Sequence, residues 1–368
     1  MLRARQKRMR CIGTGRWKDL LMEPFTHSVN RLVFIIFLIT TSLVFSQYRD
    51  IPDVVTKVAT SAGNWLKLET NPRAVGMGGA FVASGRGIGA VSYNPAAIAF
   101  VKGQEGYIFR TNYIAGITHN VVSYGRRLSG SDFIGFHLFY LDSGPMDVTN
   151  RDYPNGTGEQ FHVQSIAFRT TYGRRMTDRL KVGINLNFIH DKIYTVAMNS
   201  LAFDIGSNFD TGIYGFKLGM SITNFGPEVQ YHGEGLQQTV PDTIDVDKVL
   251  EKVTDQYPLP LVFRLGIDNE LMGPNSVFVQ NDTHTLQLAV DGVVPNDYTF
   301  TGHVGLEYGY KEMGYIRGGL RMGHDTATIS GGGGVRLQTR AMTFNIDYAF
   351  TDFGVFKLTH QVGLGLEF

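Results

Sequence analysis

Cysteine and long apolar segments are nearly absent from this sequence. The single cysteine is Cys11, so the chain cannot form an internal disulfide. After residue 50, no stretch approaches the roughly 18–20 apolar residues that a membrane-spanning helix needs. Positive and negative charges nearly cancel, with 34 Lys and Arg against 33 Asp and Glu. That balance argues against a nucleic-acid partner, because phosphate binding requires concentrated positive charge.

Signatures of catalysis are also scarce. The ten histidines are scattered, and no metal-ligand spacing recurs among them. No Gly-x-Ser-x-Gly elbow of a hydrolase occurs. The glycines of Gly76–Gly79 do not belong to a strand, glycine loop and helix followed by an acidic residue, which a nucleotide site requires. The sequence therefore predicts a protein that is not an enzyme and that has no cofactor and no bound metal.

One continuous apolar run, Leu32–Phe45, predicts a secretory signal peptide. The run follows Arg31, precedes Ser46 and has 14 residues, which is short for a membrane span but matches the apolar core of a signal. We expect residues 1–46 to be removed on export. Because the region before the run is unusually long and basic, Met22 is an alternative start of the protein.

Apolar and polar residues alternate along many short segments of the remaining chain. In Leu180–Phe188 every second residue is apolar, which is typical of a β-strand with one apolar face. Such segments recur, and glycine (44 residues) and aromatic side chains (12%) are abundant. The sequence therefore predicts an all-β chain in which residues 104–368 form a transmembrane barrel of roughly 14 antiparallel strands. The predicted strands lie near 105–113, 118–128, 132–141, 161–173, 180–188, 200–209, 214–223, 261–268, 284–291, 299–310, 313–322, 327–338, 342–350 and 360–368.

Alternation alone does not distinguish a membrane barrel from a soluble β-sandwich. A sandwich turns its polar faces to water, whereas a membrane barrel turns its apolar faces to lipid and lines its lumen with mixed charges. Aromatic bands at Tyr308–Tyr310 and Phe344–Phe350 suit membrane interfaces and, with the signal peptide, favour a barrel in the outer membrane. The charges predicted to face the lumen are Lys181, Asp204, Lys217, Arg264, Asp268, Asp291, His303, Glu307, Arg317, Arg321, Asp347 and Glu367.

The last nine residues, His360–Phe368, alternate regularly and end in an aromatic side chain. They resemble the closing strand of bacterial outer-membrane barrels. In those proteins the terminal Phe and the alternating apolar positions are read by the barrel-assembly machinery. The resemblance implies an assembly signal made of Val362, Leu364, Leu366 and Phe368.

The connections between the predicted strands differ in length on the two sides. With the amino terminus in the periplasm, the two longest, Asp142–Gln160 and Asn224–Pro258, both fall outside. This asymmetry is typical of outer-membrane barrels, although Asn269–Thr283 on the inner side is longer than the rule predicts. Within Asp245–Gln256 the apolar residues have helical spacing, which predicts either a short helix over the barrel mouth or a docking surface for a partner. These apolar residues are Val246, Val249, Leu250 and Val253.

The segment before the strands, residues 47–103, predicts a plug inside the barrel. Gly76, Gly78 and Gly79 permit positive φ and close backbone approach, although a tight turn without function is the alternative. A short helix is expected from Pro95, with Asn94 as its cap. The predicted plug motif consists of Arg73, Gly76, Gly78, Gly79, Phe81, Asn94, Pro95 and Ala96.

Residues 71–100 are similar to the amino-terminal signature of the PorV/PorQ family, which belongs to the wider FadL-like group of outer-membrane barrels. The resemblance implies that this segment lies in the lumen, as it does in FadL-like proteins. The chain departs from the family at Ser84–Gly89, where acidic residues are usual. The matched parts are Arg73–Ala83, Tyr93–Ala97, Ser221–Pro227, Tyr257–Leu261, Val290–Asp297, Gly305–Tyr308 and Asp347–Gly354.

The resemblance implies two functions, and a barrel of unassigned role is a third alternative. The best-known PorV/PorQ protein accompanies the type IX secretion translocon and handles cargo with a sorting domain. The translocon and that cargo would then be partners, in addition to outer-membrane lipid. FadL-like proteins instead admit hydrophobic small molecules, and the inward charges argue against a wide apolar path for them.

Overall fold

The computed structural model describes residues 57–240 and 248–368. The signal peptide predicted at 1–46 and Val246 of the predicted docking segment lie outside the described residues. Within the described ranges, no helix is long and apolar enough to cross a membrane.

In the described part of the chain, fourteen antiparallel strands close into a barrel, so the predicted fold class is confirmed. Each strand pairs with its neighbours in sequence, and the first pairs with the last. Bulges interrupt the register between the sixth and seventh and between the eighth and ninth strands. The strands are β1 (Gln104–Asn112), β2 (Thr118–Arg127), β3 (Asp132–Asp142), β4 (Val163–Arg175), β5 (Leu180–Ile193), β6 (Val196–Asp210), β7 (Lys217–Phe225), β8 (Val262–Gly273), β9 (His284–Pro295), β10 (Thr301–Tyr310), β11 (Gly314–Met322), β12 (Ile329–Gln338), β13 (Thr343–Asp352) and β14 (Leu358–Glu367).

Strand β5 shows how the alternation is used. Ile184 and Phe188 are about half exposed on the outside of the barrel, whereas Asn185 and Asn187 are buried inside it. Because the outer surface is apolar and the interior holds the polar side chains, the barrel is arranged for lipid outside, as predicted.

The rim that contains Gln104 and Glu367 is called the periplasmic rim here, and the opposite one the outer rim. Connections at the periplasmic rim are short except for residues 274–283, and the two longest connections, 143–162 and 226–261, lie at the outer rim. Short strands in the connections are Met146–Asp147 with Gln160–Phe161, His232–Gly233 beside β6 and Val279–Gln280 beside β8.

The helical interpretation of Asp245–Gln256 is wrong where the structure describes it. Lys248–Glu251 is a strand that pairs antiparallel with Gln237–Val240, and the two strands form a hairpin in the longest outer connection. Val249 and its β-branched neighbours lose rotamer freedom in a helix, so the segment gains more from a paired strand. Apolar spacing alone did not reveal the partner strand.

The predicted strand at 214–223 also starts too early. Tyr214 and Gly215 adopt positive φ values of 47° and 75° in the turn before β7, and the strand begins at Lys217. A residue with positive φ cannot continue an extended strand, so the apolar alternation of this segment extends into a turn.

Residues 57–103, called the lumen segment below, run from the outer rim to the start of β1. At the outer rim the backbone N–H of Ala62 donates to the carbonyl of Pro258, at 3.0 Å. At the periplasmic rim Gly103 lies against the carbonyl of Phe368. The helices of the lumen segment are Asn64–Lys67, Pro72–Gly76, Ile88–Ala90 and Pro95–Phe100; those between strands are Ile114–Gly116, Glu234–Leu236 and Gly354–Phe356.

Candidate functional site: the barrel lumen

Inward-facing glycines form a belt around the lumen segment. Ten of the strands each contribute one glycine at which an added Cβ would come closer than 3.0 Å to an atom of that segment. Any larger side chain at these positions would therefore displace the segment or deform the wall. The glycine belt consists of Gly125, Gly135, Gly173, Gly183, Gly206, Gly219, Gly266, Gly305, Gly319 and Gly363.

At four glycines the belt brings backbone directly against backbone, and Gly219 and Gly305 are two of them. Gly319 of β11 lies against Met77 and Gly78, and Gly183 of β5 lies against the Pro95 carbonyl. Gly78 itself has a φ of +67°, which an L side chain rarely adopts. The lumen segment therefore fits the wall at the level of its main chain.

Buried polar side chains fix the two halves of the lumen segment. Asn94 caps its helix by accepting from the Ala96 N–H at 3.0 Å, and its Nδ2 donates to the Val82 carbonyl at 2.8 Å. The backbone N–H groups of Phe81 and Val82 both donate to the Asp291 carboxylate of β9, at 2.6 and 2.8 Å. Phe81 also packs edge-on against Tyr93, with 5.2 Å between ring centroids. These contacts bring both parts of the predicted plug motif together.

A chain of ion pairs connects the lumen segment to one side of the wall. Arg73 donates to the Glu307 carboxylate of β10 at 2.8 Å, and Arg317 of β11 bonds both Glu307 and Asp347. The Glu307 carboxylate therefore offsets the charge of the buried Arg73 guanidinium. Three further ion pairs connect the segment to the same side of the wall. Lys67 pairs with Asp297 of the β9–β10 connection, Glu69 with Arg321 of β11, and Arg86 with Asp268 of β8.

The opposite side of the lumen carries an apolar cluster in its outer half, beside buried polar side chains such as Arg169 and Asp191. Inward-facing residues of β1 to β6 form one buried cluster there, which Trp65 of the lumen segment and Val229 and Leu259 of the longest outer connection complete. The strand residues of this outer cluster are Phe109, Val121, Phe139, Leu141, Ala167, Ile189, Met198 and Ala202.

A charged cavity occupies the periplasmic half of the lumen. Its volume is about 740 Å³, and Arg73 and Arg86 of the lumen segment face it. Residues of β1, of β6 to β14 and of two periplasmic connections complete its lining, among them Lys217, Glu307 and Glu367. Because both signs of charge line it, the cavity suits water and small polar solutes rather than apolar molecules. No group of three or more His, Cys, Asp and Glu side chains among the described residues is arranged to hold a metal ion.

Of the other predicted site residues, Leu366 of β14 borders the charged cavity. In the hairpin of the longest outer connection and just after it, Val249, Leu250 and Val253 are 60%, 55% and 79% exposed. In β14, Val362 is exposed on the lipid side. The N–H of Phe368 donates to the Gln104 carbonyl at 3.0 Å, across the seam where the barrel closes.

Sequence reasoning missed the glycine belt and the inward apolar cluster. Both break the expectation that inward positions are polar: Gly183 and Ile189 lie on the inner face of β5 beside Asn185 and Asn187. An isolated glycine inside a strand marks close approach of another backbone, so the glycines of the strands carried a signal that could have predicted the belt.

Comparisons with solved structures show a similar fold. The CymD monoaromatic hydrocarbon channel is 12% identical, with 81% of this chain and 96% of that chain covered and a TM-score of 0.51. The toluene transporter TodX of Pseudomonas putida is 11% identical, with coverages of 81% and 97% and a TM-score of 0.51. A FadL homologue of Pseudomonas aeruginosa is 12% identical, with coverages of 81% and 97% and a TM-score of 0.47.

No protein family and no curated protein matches the sequence. At these identities the likeness concerns the fold alone. The chain is therefore a closed fourteen-stranded β-barrel that is similar in fold to a monoaromatic hydrocarbon channel and to a toluene transporter.

Proposed function

We propose that this barrel admits small apolar molecules across the outer membrane. The observation that carries the proposal is the outer cluster, in which Phe109, Phe139 and Ile189 point into the lumen. The interior of a water-filled barrel is polar, so an apolar sector that begins at the outer rim favours an apolar solute arriving from outside. The neighbours of similar fold are named for toluene or monoaromatic hydrocarbons, which supports the same solute class.

Passage requires the lumen segment to shift, because the glycine belt leaves no side-chain space between segment and wall. Beyond the segment the solute meets the charged cavity, where apolar residues alternate with charged ones, so its apolar contacts are incomplete. An apolar molecule therefore binds weakly there and leaves toward the periplasm.

Uptake of radiolabelled toluene tests this proposal in cells whose own hydrocarbon channels have been deleted. Cells that produce the barrel should accumulate toluene faster than cells without it. Ile189→Asn should reduce the rate about tenfold, because an amide without a partner in the outer cluster costs about 1–3 kcal/mol. Thr285→Asn is the matched control, since Thr285 already lines the charged cavity. Equal uptake with and without the barrel, at verified membrane insertion, would contradict the proposal.

A second candidate function is handling of secreted proteins, as the PorV/PorQ resemblance implies. The observation that favours it is the hairpin in the longest outer connection, where Val249 and Leu250 are both more than half exposed. Neighbouring strand residues point to opposite faces, so both faces of this hairpin present apolar side chains to solvent. Such a surface suits a protein partner.

Export of cargo with a sorting domain tests the second candidate. Leu250→Glu should reduce export without changing barrel assembly, whereas Tyr153→Glu, at another exposed site in an outer connection, should leave export unchanged. Crosslinks from the hairpin to a large translocon should be recoverable from native membranes. Normal export of every sorting-domain protein after deletion of the gene would exclude this function.

A further inference from the structure

Several buried polar atoms in the outer half of the lumen lack a partner. His119 of β2 is 1% exposed, and neither of its ring nitrogens has a hydrogen-bond partner among the described residues. The same holds for Nε1 of Trp65 and, on β14, for Oε1 of Gln361. Because Thr111 pairs with both His119 and Gln361 in the ladder, these two side chains flank one strand on the inner face. A buried polar group without a partner costs free energy of folding. A further molecule that forms hydrogen bonds with these groups would remove that cost.

Aromatic rings surround His119. The centroid of its ring lies 6.1 Å from Trp65, 6.1 Å from Phe109 and 6.4 Å from Phe139. His137, by contrast, is satisfied on the same wall, because its nitrogens contact the Ser123 and Thr171 hydroxyls at 2.8 and 3.3 Å. Within the described structure, His119 therefore differs from His137, which is fully paired, and from His303 of β10, which lacks a partner at Nδ1 only, because both of its ring nitrogens are unpaired.

Trp65 is held in place by few bonds. Trp65 belongs to residues 57–68. In the described structure the polar contacts of these residues with the rest of the chain are the Ala62–Pro258 backbone hydrogen bond and the Lys67–Asp297 ion pair. The indole is an aromatic ring whose N–H group finds no acceptor there. A ligand ring with a better placed polar group can therefore replace it.

We propose that the place of the Trp65 side chain is a binding site for small aromatic molecules that carry a hydroxyl group, with His119 as the residue that recognises the hydroxyl. The inference rests on the proposed uptake function and narrows its solute class from plain hydrocarbons to phenol-like compounds. A hydroxyl both donates and accepts, so it pairs with either tautomer of a neutral imidazole. The ring of the ligand takes over the contacts that Trp65 makes with Phe109 and His119.

Fluorescence of Trp65 tests the site directly. Trp17 and Trp65 are the only tryptophans of the chain, so a Trp17→Phe background makes Trp65 the sole reporter. Full-length refolded protein is titrated with phenol and, in a separate experiment, with toluene. Fluorescence is excited at a wavelength that neither ligand absorbs. Phenol should expose Trp65 to water and shift its emission to longer wavelength. His119→Leu should lower the preference for phenol over toluene, taken as the ratio of their Kd values, about tenfold, because one hydrogen bond to the ligand is lost.

Two further variants keep the test decisive. Trp65→Ala vacates the site, so phenol should bind it more tightly than it binds wild type, with binding followed by calorimetry. His190→Leu on the outer face of β5 is the control and should leave the preference unchanged. An equal preference in wild type and His119→Leu would overturn the inference while leaving uptake of apolar molecules intact. If phenol still shifts the Trp65 emission but the barrel does not accelerate toluene uptake, the proposed uptake function fails and the inferred binding site stands.

Discussion

Two adjacent glycines on β11 have opposite surroundings. Gly319 lies against the backbone of Met77 and Gly78, whereas an added Cβ at Gly318 meets nothing within 4 Å. We therefore expect Gly319→Ala to cost about 2–4 kcal/mol of unfolding free energy through overpacking. Gly318→Ala should stay within about 0.5 kcal/mol. Urea titration followed by heat-modifiable gel mobility measures both, and equal midpoints would show that the lumen segment does not press on the wall.

Glu307 is the residue on which two buried cations depend. It is 5% exposed and pairs with both Arg73 and Arg317. Glu307→Gln leaves these guanidinium groups short of a charge partner, so we expect a loss of about 3 kcal/mol in unfolding free energy. Glu312→Gln at an exposed periplasmic turn is the control and should change little. The same urea titration distinguishes them, and a similar small effect at both sites would count against the ion-pair chain.

The lumen segment is the element on which any transport route depends. Its residues Ala80 and Ala96 are fully buried between Gly-rich turns and the wall. Cysteines introduced as Ala80→Cys and Ala96→Cys should therefore resist bulky maleimides in intact cells. Val253→Cys, in the outer connection, should react quickly because that position is 79% exposed. Rapid labelling at all three positions would mean that the segment leaves the lumen in cells.

At the scale of the whole molecule, closure depends on the pairing of β1 with β14. Phe368 lies next to this seam, where its N–H and carbonyl bond Gln104 at 3.0 and 2.9 Å. Deleting Phe368 removes both bonds as well as the predicted assembly signal, so assembly should slow and protein should remain in the periplasm. Pulse labelling followed by heat-modifiable gel mobility measures the rate. Insertion at the normal rate would contradict a role of this residue in assembly.

The sequence by itself determined the strands and their two faces. A period of two with turns between fourteen segments predicts antiparallel strands, each with an apolar face that needs lipid or a core. The aromatic bands and the predicted signal peptide then favoured a membrane barrel over a sandwich. The largest differences from the predicted strand bounds are the ends of β5 and β8, Ile193 and Gly273, which lie five residues beyond the prediction, and every other bound lies within four residues. The caps at Asn71 and Asn94 are also local, since each side chain bonds an N–H two residues later.

Only the tertiary structure decided what the lumen contains. Arg73 and Glu307 are 234 residues apart in sequence, and no local pattern pairs them. The glycine belt and the environment of His119 likewise arise because distant strands meet one short segment inside the barrel. The hairpin of Gln237–Val240 and Lys248–Glu251 also needed its partner strand to be seen. Periodicity specifies which face a residue occupies, whereas contact across a closed barrel depends on register and closure, which the complete fold sets.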